Sequence, residues 1–402
     1  MKVYFSGING TGIGPLAEFA QDAGYEVLGS DLQRGAIAPE LDERKVPIHY
    51  GVQDGEFLRE NPDVDWFVYT SALPEDHPEL VAARELGIKA TKRDEFIAEI
   101  VREKQLKMIG VAGTHGKTTT TSMLIWACLQ LGIPANYLVG TTLGWAKSGF
   151  FSDEAKYFIY EADEYDHNFL AYSPEIAVIT CVDYDHPDIY PTREDYVAAF
   201  EQYESQSKDV VKNTTINPKI TLVGELRRQD ASIALEVLKK ISDFSEDDIC
   251  KVLNDYPGVG RRFERIAKGV YSDYGHHPAE IKATIKMAAE LKQRDKYAGL
   301  AIIYQPHQNT RQHEVRHLYK DAFIGADKIF WLPTYLTREN PDLAVLNPEE
   351  LSGELDNKEV VECCELNDDL AEKIRDLRAN DWLIVLVTAG PADTWLRDTF
   401  TD

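Results

Sequence analysis

The chain has 402 residues, of which 44% are hydrophobic and 10% aromatic, so we expect two or three domains with buried cores. Its formal net charge is −25, from 43 Lys and Arg against 68 Asp and Glu, and a balance this acidic argues against a nucleic-acid partner. The 5 cysteines lack metal-ligand spacing, and no apolar run approaches the roughly 18 residues of a membrane span. We therefore expect a cytoplasmic protein with reduced thiols and no membrane partner.

The N-terminal part alternates between predicted strands and helices, which is typical of a parallel, Rossmann-like sheet. A buried strand at 2–6 is followed by the glycine-rich turn Gly7-Ile-Asn-Gly-Thr-Gly-Ile-Gly14 and then by a helix. Further strands are predicted at 24–31 and 64–72. Because ligands of such sheets bind beyond the carboxyl ends of the strands, we expect a ligand at this edge. The predicted ligand-binding residues there are Asn9, Gly10, Thr11, Gly12, Ile13, Asp31 and Ser71.

The spacing of these glycines differs from the G-x-G-x-x-G fingerprint of NAD-binding proteins. We interpret the turn as one that binds a diphosphate. An ordinary tight turn is the alternative.

A second glycine-rich loop lies between an apolar strand that begins at Met108 and an apolar helix through 122–131. Strand, glycine turn and helix form the context of a phosphate-binding loop. Lys117 would reach the β- and γ-phosphates of a nucleotide, and the Thr118 hydroxyl would bind Mg²⁺. The loop is shorter than the usual eight-residue form, since Ala112 stands where its first glycine would be. A Gly/Thr-rich turn with a solvated lysine is the alternative. The predicted phosphate-binding residues of this loop are Gly113, Thr114, His115, Gly116, Lys117, Thr118 and Thr119.

Two more apolar runs, at 156–160 and 176–182, predict buried strands that end in acidic residues. Glu161 follows the first run, and Asp183-Tyr-Asp-His186 follows the second. Strand ends beside a phosphate loop are where Mg²⁺ ligands belong, so Glu161 and His186 are predicted ligands together with Thr118. A solvated acid and a structural histidine are the alternatives.

The remaining chain predicts a short strand at 220–223, a helix at 229–241 and a short helix at 245–255 with Ser245 as its N-cap. A new α/β unit begins near residue 261, with strands at 299–304, 326–332 and 382–387. We place the predicted domain boundaries so that the three domains are 1–104, 105–259 and 260–402.

Five motifs, in order along the chain, resemble those of the Mur ligase family. They are Gly113-Thr-His-Gly-Lys-Thr-Thr119, Glu161-Ala-Asp-Glu164, Gly258-Val-Gly-Arg-Arg-Phe-Glu264, Asp273-Tyr-Gly-His-His-Pro278 and Tyr304-Gln-Pro-His307. The resemblance covers nearly the whole chain and implies three α/β domains. These are a Rossmann-like UDP-sugar-binding domain, a central P-loop ATPase-type domain and a Rossmann-like C-terminal domain that binds the amino acid. The motifs are most similar to those of the branch that adds L-alanine to UDP-N-acetylmuramate in peptidoglycan synthesis.

The resemblance implies an ATP-dependent ligase that uses Mg²⁺, for which Mn²⁺ can substitute, and that forms an acyl-phosphate intermediate. UDP-N-acetylmuramate, L-alanine and ATP would be its small-molecule partners, and the protein would be a monomer or a weak homodimer. Helix capping near Pro278 is the alternative for His276 and for His277. The implied catalytic residues are Lys117, Glu161, His186, Arg262 and His276. The implied ATP contacts outside the loop are Asp230, Arg262 and Asp273. The implied amino-acid contacts are Tyr274, His276, Gln308 and Arg311.

The chain departs from the family pattern in three places. Its central domain is short, and Asp230 stands where the family has an asparagine that contacts adenine. Gln308 replaces an arginine that would bind the amino-acid carboxylate. Thr388-Ala-Gly-Pro391 replaces a G-A-G turn. A ligase that recycles a murein tripeptide and a non-catalytic nucleotide-binding homologue are therefore the alternatives.

Overall fold

The computed structural model contains three sheets whose strands are mostly parallel, in agreement with the predicted α/β fold. The chain forms two compact units. The N-terminal unit consists of Met1–Thr221 and Arg228–Tyr256, and the C-terminal unit of Leu222–Arg227 and Pro257–Asp402. The predicted domain boundaries after residues 104 and 259 stay predictions. The structure describes residues 1–35, 37–70, 72–186, 189–337 and 339–400.

The first sheet has five parallel strands in the order β3-β2-β1-β4-β5. The strand order reverses beside β1, and crevices at such points bind the ligands of α/β sheets. Its strands are β1 (Lys2–Ser6), β2 (Glu26–Asp31), β3 (Ile48–Tyr50), β4 (Trp66–Tyr69) and β5 (Lys89–Lys92). Its helices are α1 (Gly14–Asp22), α2 (Ala38–Glu43), α3 (Glu56–Arg59), α4 (Pro78–Glu85) and α5 (Arg93–Glu103).

The second sheet has six strands in the order β11-β10-β6-β9-β7-β8, and only β8 pairs antiparallel among the strands that the structure describes. Its strands are β6 (Lys107–Ala112), β7 (Ala135–Leu138), β8 (Gly149–Phe150), β9 (Tyr157–Glu161), β10 (Ile176–Ile179) and β11 (Asp209–Val211). Its α-helices are α6 (Lys117–Leu131), α7 (Arg193–Ser205), α8 (Glu225–Ile241) and α9 (Glu246–Asn254), and a 3₁₀ helix spans Tyr165–Ala171. Ser245 caps α9, as predicted, by accepting a hydrogen bond from the Asp248 N–H at 3.2 Å.

The short strand predicted at 220–223 does not form, and these residues lie in a loop. The Ile220 N–H donates to the Asn217 carbonyl oxygen at 3.0 Å, and the Thr221 N–H donates to Asn254 Oδ1 at 2.7 Å. The N–H groups of Ile220 and Thr221 thus bond to a turn carbonyl and to a side chain rather than to a neighbouring strand. The prediction of a strand at 220–223 is wrong.

The first two sheets share a hydrophobic core within the N-terminal unit. The Phe19 ring of α1 lies 5.3 Å from the Phe151 ring and 5.2 Å from the Phe158 ring of β9. Aromatic pairs at such distances add about 0.5–1.5 kcal/mol beyond the burial of their surface. The packing therefore fixes how the two sheets are placed within this unit.

The third sheet has six strands in the order β12-β13-β17-β14-β15-β16, with β12 antiparallel to β13. Hydrophobic clusters that include its strand residues form the core of the C-terminal unit. Among the described residues, no helix is both long enough and apolar enough to cross a membrane. The strands are β12 (Glu264–Ala267), β13 (Val270–Asp273), β14 (Leu300–Gln305), β15 (Lys328–Trp331), β16 (Val361–Cys363) and β17 (Leu383–Thr388). The α-helices are α10 (Pro278–Asp295), α11 (Asn309–Val315), α12 (Pro348–Ser352), α13 (Asp368–Ala379) and α14 (Ala392–Phe400), and 3₁₀ helices span Arg316–Leu318 and Lys358–Val360.

Candidate active site

The loop between β6 and α6 turns on two glycines with positive φ, 139° at Gly113 and 81° at Gly116. A Cβ built on Gly113 would lie 2.9 Å from the Cys181 carbonyl oxygen, so no other residue fits there. The start of the loop is fastened to the chain after β10. The Thr114 N–H donates to the Cys181 carbonyl oxygen at 3.1 Å, and the His115 N–H points at Cys181 Sγ at 3.3 Å. These two N–H groups are therefore bound within the protein.

The N–H groups at the start of α6 are suited to bind an anion. An α-helix leaves its first four N–H groups without a partner inside the helix and carries partial positive charge at that end. Gly116 is the N-cap of this 15-residue helix and provides no side chain to cap it. Lys117, Thr118 and Thr119 follow directly. The start of α6 thus has the features of a phosphate-binding site.

Lys117 is held at this site by a buried carboxylate. Its Nζ donates to the Gly113 carbonyl oxygen at 2.7 Å and to Glu164 Oε1 at 3.0 Å. Glu164 is 0% exposed, and a buried charge is costly unless it is paired. The sequence prediction did not include Glu164 as a site residue. The available signal was its place three positions after Glu161, in the segment that leaves β9.

Three more side chains surround Glu164. His186 Nε2 lies 3.7 Å from Glu164 Oε1, and the Tyr196 hydroxyl donates to the same oxygen at 3.4 Å. The Tyr190 hydroxyl donates to the Glu164 carbonyl oxygen at 2.5 Å. Burial raises the pKa of both tyrosines, so they stay protonated donors. Glu164 therefore joins the loop lysine to the predicted metal ligand His186.

Two of the predicted metal ligands contact each other. Thr118 Oγ1 lies 2.9 and 3.1 Å from the two carboxylate oxygens of Glu161, at the end of β9. Hydroxyl and carboxylate oxygens suit Mg²⁺, which usually keeps waters and substrate phosphates as its other ligands. The described residues hold no group of three or more His, Cys, Asp or Glu that could bind a metal by themselves. The third predicted ligand, His186, lies beside Glu164 and Asp185.

Asp230 also reaches the phosphate loop. It is buried on α8, and its Oδ1 lies 2.5 Å from the position that a Cβ on Gly116 would occupy. The carboxylate therefore packs against the N-cap of α6. It places a negative charge beside a site that is otherwise suited to an anion.

The glycine-rich turn after β1 gathers the predicted UDP-sugar residues at one edge of the first sheet. The Asn9 N–H donates to Asp31 Oδ2 at 2.8 Å, and Asp31 ends β2. The Gly14 N–H donates to the Gly10 carbonyl oxygen at 2.8 Å, which starts α1. Thr11, Gly12 and Ile13 lie between these points, whereas Ser71 is outside the residues that the structure describes.

In the C-terminal unit, Arg262 and the predicted amino-acid residue His276 lie beside Tyr274. The Arg262 guanidinium carbon lies 5.4 Å from the centre of the Tyr274 ring, and the His276 ring lies 5.5 Å from it. His276 Nδ1 is 3.4 Å from Glu280 Oε2. Burial lowers the pKa of His276, the nearby Glu280 carboxylate opposes this shift, and the positive charge of Arg311 adds to it. The net shift favours the neutral imidazole, which can accept a proton.

Asp273 makes three internal hydrogen bonds. Its carboxylate accepts from the Phe263 N–H at 2.8 Å, the Gly275 N–H at 2.9 Å and the Thr284 hydroxyl at 2.8 Å. Burial raises the pKa of Asp273, which these donors oppose. The structure gives it a role in holding the C-terminal unit together, and its contact with ATP stays a prediction.

His277 and Gln308 each lie at the N-terminal end of a helix. His277 is the N-cap of α10, where its Nδ1 accepts from the Ala279 N–H at 3.3 Å, so the capping alternative is confirmed for this residue. Gln308 precedes α11 with a φ of 63°, and its N–H donates to the Tyr335 carbonyl oxygen at 2.9 Å. Its contact with an amino acid stays a prediction.

Three family models match consecutive parts of the chain. They are described as Mur ligase family, catalytic domain (residues 2–105), Mur ligase middle domain (111–217) and Mur ligase, glutamate ligase domain (261–389). The chain is 30% identical over 425 aligned positions to the UDP-N-acetylmuramate–L-alanine ligase of Lactobacillus delbrueckii subsp. bulgaricus. The alignment covers 92% of this chain and 93% of that protein.

Solved structures share the fold. The UDP-N-acetylmuramate-alanine ligase of Thermotoga maritima superposes with a TM-score of 0.79 at 21% identity, over 99% of this chain and 98% of that one. A murein peptide ligase from Psychrobacter arcticus superposes with a TM-score of 0.58 at 22% identity, over 99% and 98% of the two chains. Three family models match the chain in order, and a relative that is 30% identical aligns with 92% of it. The chain therefore belongs to the Mur ligase family.

Proposed function

We propose that the protein is an ATP- and Mg²⁺-dependent ligase that joins L-alanine to the carboxylate of UDP-N-acetylmuramate, for peptidoglycan synthesis in the cytoplasm. The observation that carries the proposal is the convergence of Lys117, Thr118 and Glu161 at the start of α6. A hydroxyl–carboxylate pair beside a loop lysine is the arrangement with which phosphoryl-transfer enzymes hold Mg²⁺ and the transferring phosphate. The relative that aligns over 92% of this chain bears the name of this activity.

The reaction has two steps. A carboxylate oxygen of the UDP-sugar attacks the γ-phosphorus of ATP, the bond from that phosphorus to ADP breaks, and an acyl phosphate forms. The amine nitrogen of L-alanine then attacks the acyl carbon, phosphate leaves with the bridging oxygen, and the nitrogen loses a proton. Two anions meet in the first step, so fixed positive charge at the phosphates lowers its barrier.

The N-terminal unit supplies the groups for phosphoryl transfer. The N–H groups at the start of α6 and Lys117 would hold the β- and γ-phosphates. Thr118 and Glu161 would hold Mg²⁺, with His186 close to the same loop. When bound, this ion neutralises charge on the phosphate oxygens. The turn from Asn9 to Ile13 would hold the UDP-sugar diphosphate, with Asp31 and Ser71 beside it.

The C-terminal unit supplies the groups for amide formation. His276 is suited to accept the proton that the amine loses, because burial disfavours its charged form and so keeps a ring nitrogen free of a proton. Arg262 would neutralise phosphate charge, and Asp273 would contact the ATP ribose. Tyr274, Gln308 and Arg311 would line the amino-acid pocket. We divide these roles among the domains 1–104, 105–259 and 260–402.

The test is phosphate release from ATP and Mg²⁺ in the presence of UDP-N-acetylmuramate, with L-alanine, glycine, L-serine or a cell-wall tripeptide as the amine. We expect turnover with L-alanine. Turnover with the tripeptide alone would assign the recycling reaction instead. If folded protein releases no phosphate with any of the four amines, the proposal is wrong.

Asp230→Asn is expected to tighten the binding of a non-hydrolysable ATP analogue by about three- to tenfold. Asp230 places a carboxylate against the phosphate loop, and a like charge about 4 Å from a phosphate costs about 1 kcal/mol even at the dielectric constant of water. Calorimetric titration measures the dissociation constant. Asp243→Asn, beyond the far end of α8, is the matched control and should have no effect. Weaker binding by Asp230→Asn would contradict the expectation and indicate that the carboxylate contacts the nucleotide favourably.

A further inference from the structure

The glycine-rich turn after β1 carries no cationic side chain of its own. Residues 7–14 contain neither Lys nor Arg, and the carboxylate of Asp31 is bound to the turn through the Asn9 N–H. A diphosphate bound there would place its negative charge near that carboxylate. Charge-assisted hydrogen bonds from Arg or Lys are the strongest contacts that proteins make to phosphate. The turn itself therefore lacks the Lys or Arg side chain that would bind a diphosphate most strongly.

Arg93 brings a guanidinium to this turn from another part of the sheet. It is the first residue of α5, directly after β5, and β1, β4 and β5 run parallel, so their carboxyl ends share one edge. A Cβ built on Gly12 would lie 2.6 Å from Arg93 Nη1. The absence of a side chain at Gly12 is what lets the guanidinium pack on the turn.

The Arg93 guanidinium is hydrogen-bonded within the protein along the edge formed by Nε and Nη2. Nε donates to Asp94 Oδ2 at 3.2 Å, and Nη2 donates to the same oxygen at 3.1 Å. Nη1 has no hydrogen-bond acceptor among the described residues, and the side chain is 23% exposed. An arginine has five N–H donors, so the two on Nη1 remain for a ligand at the turn.

The aspartate that orients Arg93 is itself fixed by the second sheet. Asp94 is 4% exposed, and its Oδ1 accepts from the Tyr160 hydroxyl at 2.8 Å and the Tyr172 hydroxyl at 2.7 Å. Tyr160 directly precedes Glu161 on β9. Two tyrosines and one aspartate thus hold the guanidinium in one orientation before any ligand arrives, which reduces the entropy lost on binding.

We propose that Arg93 is a binding residue for the diphosphate of the UDP-sugar, contacting it through Nη1 at the Gly12 turn, and that Asp94 is the residue that positions it. This inference rests on the proposed function, which supplies the nucleotide-sugar substrate. The diphosphate is then held between the N–H groups of the turn and an arginine that is anchored on the strand carrying Glu161.

The test is calorimetric titration of Arg93→Met with UDP, with UDP-N-acetylmuramate and with uridine, which has no phosphate. Loss of a hydrogen bond to a charged group predicts dissociation constants about 10- to 100-fold higher for UDP and for UDP-N-acetylmuramate. Uridine affinity should not change. Arg59→Met is the matched control, since Arg59 is a surface arginine at the end of α3, in the same N-terminal unit, and is paired with Glu85 at 3.0 Å. It should bind all three ligands as the wild-type protein does.

Two more variants distinguish a loss of ligand binding from a loss of protein stability. Arg93→Met/Asp94→Asn removes the charges of both partners and should lose UDP affinity to the same extent while keeping a wild-type melting temperature. Asp94→Asn alone keeps the arginine but loosens it, and should show a smaller loss. If wild-type protein binds UDP-N-acetylmuramate and Arg93→Met binds it equally well, the inference is wrong and the proposed function stands. If the wild-type protein neither binds this UDP-sugar nor turns it over, the proposed function fails as well.

Discussion

Replacing Lys117 with methionine is expected to lower kcat for phosphate release by about a thousandfold or more, because fixed positive charge at the transferring phosphate is the main source of catalysis in phosphoryl transfer. The Lys117 ammonium lies at the start of α6, where the phosphates would bind. Binding of UDP-N-acetylmuramate at the other glycine-rich turn should not change. Steady-state kinetics with ATP and a calorimetric titration of the UDP-sugar measure the two effects separately.

The same substitution is expected to destabilise the protein, because it leaves Glu164 buried without its lysine. Breaking a buried ion pair costs about 3–5 kcal/mol. Lys117→Met/Glu164→Gln removes the unpaired charge, so its melting temperature should recover while its kcat stays low. Lys251→Met, on the exposed surface of α9, should change neither property. If the double variant regained activity along with stability, Lys117 would be structural and its catalytic role would be wrong.

Replacing Glu161 with glutamine is the second substitution with a large expected effect. We expect kcat to fall by about 100-fold or more and the Mg²⁺ concentration for half-maximal activity to rise, because a carboxylate ligand to the metal becomes a neutral amide. Glutamine can still accept the hydrogen bond from Thr118, so the fold should be kept. Titrating phosphate release with Mg²⁺, and then with Mn²⁺, measures both changes.

A glutamate outside the site provides the control for Glu161. Glu154→Gln removes one exposed carboxylate that precedes β9, and it should leave the Mg²⁺ dependence unchanged. If Glu161 holds the metal, the Mg²⁺ concentration for half-maximal activity should rise in Glu161→Gln and stay unchanged in Glu154→Gln. The same Mg²⁺ requirement in Glu161→Gln as in the wild-type protein would show that Glu161 does not hold the ion.

The phosphate loop was predictable because its signal is local. The run that forms β6, two glycines and a helical segment follow one another within a few residues, and each has a recognisable pattern. Thr118 and Glu161 could be paired from sequence because the carboxyl ends of parallel strands meet at one edge. The three-part α/β fold followed from the same alternation of strands and helices, and the structure confirms it.

Glu164 and Arg93 were missed for a different reason. Glu164 is one of 68 acidic residues in the sequence, and only the structure shows that it is fully buried against Lys117. Arg93 and Gly12 are far apart in the chain and meet only because β1 and β5 lie in one sheet. Such contacts depend on strand order and on burial, which local residue patterns do not determine.

The measurement that tests the proposed chemistry most directly traces whether a carboxylate oxygen of the UDP-sugar is transferred to the released phosphate. UDP-N-acetylmuramate carrying ¹⁸O in both carboxylate oxygens is turned over with ATP and L-alanine, and the released phosphate is analysed by mass spectrometry. An acyl-phosphate route predicts one ¹⁸O atom in each phosphate, because the carboxylate oxygen that attacks phosphorus leaves with it. Unlabelled phosphate formed together with the amide product would contradict this route, since the carboxylate would not have attacked the γ-phosphorus.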